Sequence, residues 1–251
     1  MDEIRFECRW SYDLTPGFVD DFCHVLNETW KGHLSPQTVK RRYVDNFFGE
    51  SLLIVAYADD VAAGTQAFWR NDINGRESYQ SGDSAVLAMY QGRGIFKTML
   101  KKGMALLNQD ALFYGWPNKN SKPAFLSTGW NVLRREKCSF FSSLFRIQKL
   151  DNLSAIDYDY AEWYLKSRRD HIFSIKQKKI CYLVILTRYR WIVQLLGVCD
   201  EKTASLFDSL NFHPLMLYHK PSEVIDNSKI GPIVVMHHKG ELIPDWKCDA
   251  I

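Results

Sequence analysis

Residues 84–100 read Ser-Ala-Val-Leu-Ala-Met-Tyr-Gln-Gly-Arg-Gly-Ile-Phe-Lys-Thr-Met-Leu, and no other stretch constrains the fold as tightly. An apolar, strand-like run ends at Tyr90 and meets Gln91-Gly92-Arg93-Gly94 with almost no spacer. A helical pattern then begins, with Ile95, Phe96 and Met99 on one side and Lys97, Lys101 and Lys102 on the other. Two glycines let the backbone turn sharply and bring a bound group close to its amides. The new helix leaves its first N–H groups unpaired and carries partial positive charge at that end. A strand, glycine turn and helix in this order form a ready site for a phosphate or pyrophosphate, to which Arg93 and Lys97 add mobile charge. The same residues also suit a tight connection that binds nothing, because short glycine motifs recur without a ligand.

The 251 residues suffice for one large domain or two small ones, and a hydrophobic fraction of 46% can build a core. A net charge of +3 gives no reason to expect nucleic acid or an anionic membrane as partner. The basic runs at 40–42, 134–135 and 176–179 are short and read as solvated surface. Six cysteines (Cys8, Cys23, Cys138, Cys181, Cys199 and Cys248) contain no Cys-x-x-Cys pair, so neither a zinc site nor a disulfide framework is expected. His213 and the His237-His238 pair lack ligand-like grouping, and no metal is expected. The first residues lack a signal-peptide pattern, and the longest apolar runs are too short to span a bilayer. A reduced, cytoplasmic location is the expectation.

Start signals punctuate the chain. Thr15-Pro16 and Ser35-Pro36 each place a capping hydroxyl before a proline at the first helical position. They predict helices to about Lys31 and Phe48, after a first strand over 4–12. Strands are expected at 51–57 and 61–69 around an Asp59-Asp60 turn, and at 77–90 with a break near Gly82. The glycine turn and a helix to about Asn108 follow, then a strand at 111–116, a helix at 121–128 closed by Gly129, and strands within 136–148. After about Asp151 the texture changes. Helices are expected at 158–170 and 201–210, and strands at 180–186, 191–198, 215–218 and 232–236. The predicted fold is α/β, with residues 1–150 as one domain and 151–251 as a C-terminal lobe packed on it. The glycine turn falls at the carboxyl end of a central strand, where open sheets usually bind ligands.

Two motifs at this spacing resemble the GCN5-related N-acetyltransferase (GNAT) superfamily. Its acyl-CoA motif, Gln/Arg-x-x-Gly-x-Gly/Ala, is matched by Gln91-Gly92-Arg93-Gly94-Ile95-Phe96 at Gln91 and Gly94, and departs at Phe96. A second family pattern is matched by Asn118, Ser121, Phe125, Gly129 and Trp130, and Gly64 sits where the family tends to place a glycine. The resemblance covers about residues 1–150 and has the flavour of enzymes of bacterial surface-polysaccharide and amino-sugar synthesis. It implies a mixed, mostly antiparallel sheet flanked by helices, with the 151–251 lobe as a second partial unit of the same kind.

The resemblance further implies acetyl-CoA as acyl donor and a small primary amine as acceptor, with an amino sugar or sugar nucleotide as the expected class. The amides around Gly92, Arg93, Gly94, Ile95 and Phe96 would hold the pyrophosphate, with Lys97 nearby. Leu87, Ala88 and Met89 would face the pantetheine arm and the thioester, and Asn118, Ser121 and Phe125 would line the arm. The family's usual general acid is a tyrosine at the position of Phe125, which has no proton to give. Tyr90 and Tyr114 then stand as substitute donors and Asp83 as the first candidate base ahead of Glu77, Glu28 and His33, with water open for either role. Two further readings remain: a GNAT-fold binding or regulatory module without turnover, favoured by Phe96 and Phe125, and a two-lobed aminoacyl-type transferase. The C-terminal lobe is open to completing the acceptor pocket, forming a homodimer or burying the sheet edge.

Overall fold

A computed structural model describes residues 3–72, 76–141, 155–163, 165, 172–186, 192–210, 215–221 and 233–237. The chain divides into two compact units, Met1–Leu133 with Ile233–Leu242, and Arg134–Pro232 with Ile243–Ile251.

The first unit is built on a five-stranded sheet ordered β1 (Ile4–Trp10), β2 (Leu52–Ala58), β3 (Val61–Arg70), β4 (Ser78–Val86) and β5 (Leu112–Gly115). Neighbours are antiparallel from β1 to β4, while β4 and β5 are parallel. Helix α1 (Pro16–Trp30) begins on the Thr15 hydroxyl, which accepts the Phe18 N–H, and ends at Lys31 in a left-handed conformation. The short α2 (Pro36–Val39) is capped by Ser35 and runs into a π-helical turn, Lys40–Val44. Helix α3 (Ile95–Leu106) lies on the opposite face: an ideal Cβ on Gly64 of β3 would stand 3.2 Å from Ile95 and 3.3 Å from Met99. Layers on both faces explain why every residue of β2, Leu-Leu-Ile-Val-Ala-Tyr-Ala, is buried. Helix α4 (Lys122–Ser127) closes this side, and its Phe125 joins Trp130, Phe113, Met99 and Phe68 in one core.

The second unit repeats the same succession of moves. β7 (Ile172–Gln177), β8 (Ile180–Leu186) and β9 (Ile192–Cys199) form an antiparallel meander, and β9 then pairs in parallel with β10 (Leu215–Pro221) after helix α6 (Glu201–Ala204). In both units the third strand of the meander carries the extra residue of a bulge. β6 (Asn131–Phe141) starts in the first unit and pairs antiparallel with β10 in the second, helix α5 (Tyr158–Trp163) precedes β7, and β11 (Ile233–His237) lies alongside β5 in the first. The architecture is the mixed, mostly antiparallel sheet flanked by helices that the motifs imply.

Several boundaries differ from the sequence pattern. β4 stops at Val86 instead of Tyr90, and Ala88–Tyr90 form a 3-10 turn whose Tyr90 N–H donates to Leu87. The second helix ends in the π-turn at Val44, and the helix expected over 201–210 stops at Ala204 and continues as turns. β7 has no counterpart among the expected strands. The strands expected over 142–148 and the helix expected over 166–170 lie outside the described residues, as do His213 and His238. Among the described residues no helix is long and apolar enough to cross a membrane.

Candidate functional site

The site is a fork in the sheet. β4 and β5 pair from Ser78↔Leu112 to Ser81↔Gly115, where β5 ends. β4 continues to Val86, and among the described residues β3 is its only strand neighbour beyond that point. Gly115 sits at the crotch, since a Cβ there would lie 3.1 Å from the Ser81 carbonyl oxygen and 3.7 Å from Phe125 Cζ.

Along its unpaired stretch β4 is bulged. Thr65 faces Ala85 and Ala67 faces Gly82, so Asp83 and Ser84 both oppose Gln66. Asp83 takes φ +43°, a left-handed conformation unusual for a residue with a Cβ. Gln66 is fully buried and binds the bulge from within: its Nε2 donates to the Ala67 carbonyl (2.6 Å) and Ser81 Oγ (2.9 Å), and its Oε1 accepts from Ser84 Oγ (2.6 Å). From the other face Arg42 Nη1 donates to Asp83 Oδ2 at 2.6 Å, and the Tyr43 hydroxyl donates to the same oxygen. Burial pushes the Tyr43 hydroxyl well above the usual tyrosine range, and the Asp83 charge adds to the effect, so Tyr43 remains a donor. The Asp83 carboxylate is thus committed to two donors.

The glycine turn lies beyond the end of β4. Gln91 Nε2 donates to the Val86 carbonyl at 2.9 Å, tying the turn back to the strand. Gly92 and Gly94 have φ of +78° and +77°, which glycine alone adopts without strain. Gly94 is the N-cap of α3, and no side chain caps that helix. The first intrahelical bond runs from Thr98 N to the Gly94 oxygen, so the N–H groups of Ile95, Phe96 and Lys97 point out of the helix start. Residues 91–94 are exposed, as is Met89. Tyr90 is buried, with the Arg93 guanidinium 5.3 Å from its ring centre.

Wider comparison places this arrangement. The chain matches no protein-family model, and no curated protein matches it in sequence. Solved structures do match. A conserved protein of Enterococcus faecalis V583, described as a probable N-acyltransferase, superposes with a TM-score of 0.55 at 10% identity, over 94% of this chain and 72% of that one. Eis1 from Mycobacterium abscessus gives 0.54 at 9% identity over 88% and 67% of the two chains. A GCN5-related N-acetyltransferase from Kribbella flavida gives 0.53 at 10% over 94% and 71%. The fold is that of the GCN5-related N-acetyltransferases.

Within this GNAT fold the expected residues fall into three groups. Gln91, Gly92, Arg93, Gly94, Ile95, Phe96 and Lys97 form the turn and the helix start, but the Phe96 ring turns inward and meets Phe125 edge-on at 5.6 Å. Asn118 and Ser121 lie on the loop into α4, where Asn118 Oδ1 accepts the N–H groups of Asn120 (2.9 Å) and Ser121 (3.0 Å). Phe125 is buried against Trp130, with ring centres 4.8 Å apart. Leu87, Ala88 and Met89 follow the strand in the 3-10 turn region, with the Leu87 N–H donating to the Ala63 carbonyl of β3 at 2.9 Å, and residues 82–86 form the part of β4 beyond its pairing with β5. Arg42, Tyr43 and Gln66 carry no motif. A buried glutamine in an apolar strand and the Gly82-Asp83 pair inside the next one are the signals that mark the bulge.

Proposed function

We propose that the chain is an N-acyltransferase that moves acetyl from acetyl-CoA to a primary amine, with an amino sugar or sugar nucleotide as the acceptor class. The observation that carries this reading is an uncapped helix start behind two left-handed glycines, placed at the open end of a forked sheet. Amides of Gly92, Gly94, Ile95, Phe96 and Lys97 would bind the pyrophosphate, with Arg93 and Lys97 supplying positive charge. The unpaired edge of β4 would take the pantetheine arm as an added strand and offer an N–H to the acyl oxygen.

The amine then attacks the acyl carbon directly in a ternary complex. A C–N bond forms, the C–S bond breaks and CoA leaves as its thiolate. A thiol pKa of about 8.5 makes it a fair leaving group. Tyr90 or water returns a proton to it. Water takes the proton lost by the amine, because the Asp83 carboxylate is already engaged. Abundant aromatic residues (14% of the chain) suit stacking on a sugar or base as well as core packing.

Calorimetric titration with acetyl-CoA, with desulfo-CoA and ATP as controls, tests the reading. Micromolar binding of acetyl-CoA with far weaker ATP binding supports it and justifies a panel of amino-sugar acceptors. No binding overturns it. Phe125 favours one second reading, an acyl-CoA-binding module of the same fold without turnover. Affinity without transfer across the amine panel would select that reading.

A further inference from the structure

We infer that Arg42 and Tyr43 are positioning residues, which act through Asp83 to hold the bulge of β4 in the conformation that receives the acyl-bearing arm. The inference rests on the acyl-CoA reading and adds residues that none of the motifs contains.

Asp83 sits where β4 has lost its β5 partner, and its φ of +43° is a conformation the residue would leave if nothing held it. Three independent attachments hold it. Its backbone oxygen accepts from Thr65 Oγ1 at 3.3 Å, the neighbouring Ser84 is bound by Gln66, and its carboxylate receives Arg42 and Tyr43. The last attachment bridges 41 and 40 residues of sequence and joins a different layer of the fold. Arg42 and Tyr43 are adjacent in the chain, yet both reach one oxygen atom. They do so from a π-helical turn, a rare form that often marks functional positions. Each donor is itself fixed: Tyr43 is buried edge-on to Phe22 at 6.2 Å, and the Arg42 guanidinium lies 5.8 Å from the Trp69 ring centre. A rigid support of this kind sets the direction of the β4 amides before a ligand arrives, which lowers the cost of ordering them on binding.

Asp83→Gly separates this role from a structural one. Glycine adopts φ +43° freely, so the substitution relieves backbone strain while removing the carboxylate that the clamp holds. The wild-type chain and the variant are titrated with acetyl-CoA and with 3′-phospho-ADP, the nucleotide half of CoA without its arm. The expected result is about a tenfold loss of acetyl-CoA affinity in the variant with 3′-phospho-ADP affinity unchanged. Tyr43→Phe, which keeps the ring in the core, should move in the same direction, and Asp83→Asn, whose side-chain oxygen can still accept, should recover most of the loss. Equal acetyl-CoA affinity in wild type and Asp83→Gly overturns the inference and leaves the acyl-CoA reading standing. A parallel fall for both ligands assigns the clamp a purely structural role and also overturns it. If the wild type binds no acetyl-CoA, the reading beneath it falls first.

Discussion

Gly103 passes directly over the ring of Phe68: an ideal Cβ on the glycine would stand 2.0 Å from Phe68 Cε2. Phe68 is fully buried and cannot step aside, so the absence of a side chain at Gly103 sets how closely α3 approaches the sheet. Gly103→Ala should therefore destabilise the protein although alanine favours a helix by about 1 kcal/mol. Overpacking of about 1–3 kcal/mol outweighs that gain. A lowered midpoint in denaturant unfolding is the expected result, and a raised one would mean that α3 lifts off the sheet at little cost.

Gly94 poses the opposite case. A Cβ there would meet nothing within 4 Å, and the cost of Gly94→Val comes from φ +77° alone. That strain is roughly 1–2 kcal/mol, which the fold should survive. The turn should not keep its shape, and acetyl-CoA binding should fall at least tenfold by calorimetry. Among the described residues the second unit has no matching uncapped turn, because Asp200 caps the four-residue α6 by accepting the Thr203 N–H at 2.7 Å. The wild-type titration should therefore give one acetyl-CoA per chain, and a stoichiometry of two would contradict it.

Phe125 points its para carbon at the crotch of the fork, 3.7 Å from where a Gly115 Cβ would lie. Phe125→Tyr should place a hydroxyl there and raise acetyl transfer, measured as thiol release, with acetyl-CoA affinity unchanged. The buried ring makes a modest stability loss of about 1–3 kcal/mol the accompanying cost. Lower turnover in a folded variant would show that the position is closed to a proton donor.

Glu77 governs an acid-sensitive corner of the first unit. Burial works against its charge, but hydrogen bonds from Asn108 and Tyr79 and the charge of Arg70 win, and its pKa lies below the usual carboxylate value. A carboxyl depressed in the folded state contributes stability above its unfolded pKa of about 4.3, and loses it as pH falls through the folded value. Glu77→Gln should therefore be less stable than wild type at pH 7, with the gap closing towards pH 3. Unfolding midpoints across that range provide the check, and a gap independent of pH would exclude the charge as its source.

Much of the fold is legible in local chemistry. Thr15-Pro16 and Ser35-Pro36 start helices where their capping hydroxyls say they should, and the Gly92 and Gly94 dihedrals are those a tight turn before a helix needs. What escapes the sequence is long-range. Nothing near Arg42 or Tyr43 announces a carboxylate 40 residues away, and an aspartate in a strand gives no sign of its φ. β7 is hidden for a different reason: Ile-Phe-Ser-Ile-Lys-Gln ends in polar residues that run on into a basic stretch, which masks the period of a half-buried strand. β4 ends early because the chain folds into the 3-10 turn Ala88–Tyr90, where the Tyr90 N–H donates to the Leu87 carbonyl, and the apolar run that continues to Tyr90 gives no sign of it.

A row of unpaired strand amides usually recruits another polypeptide, and proteins guard such rows with charge, proline or a covering loop. In this chain the row opens inside a sheet, with β5 paired to β4 up to Ser81 and Gly115. Its approach is therefore narrowed from the start. A second strand pairs at a spacing of roughly 4.8 Å, and at the crotch that place beside β4 is already taken by β5. The interruption thus sets the open amides of β4 beside a strand that is still paired to it, and not along a free outer edge of the sheet.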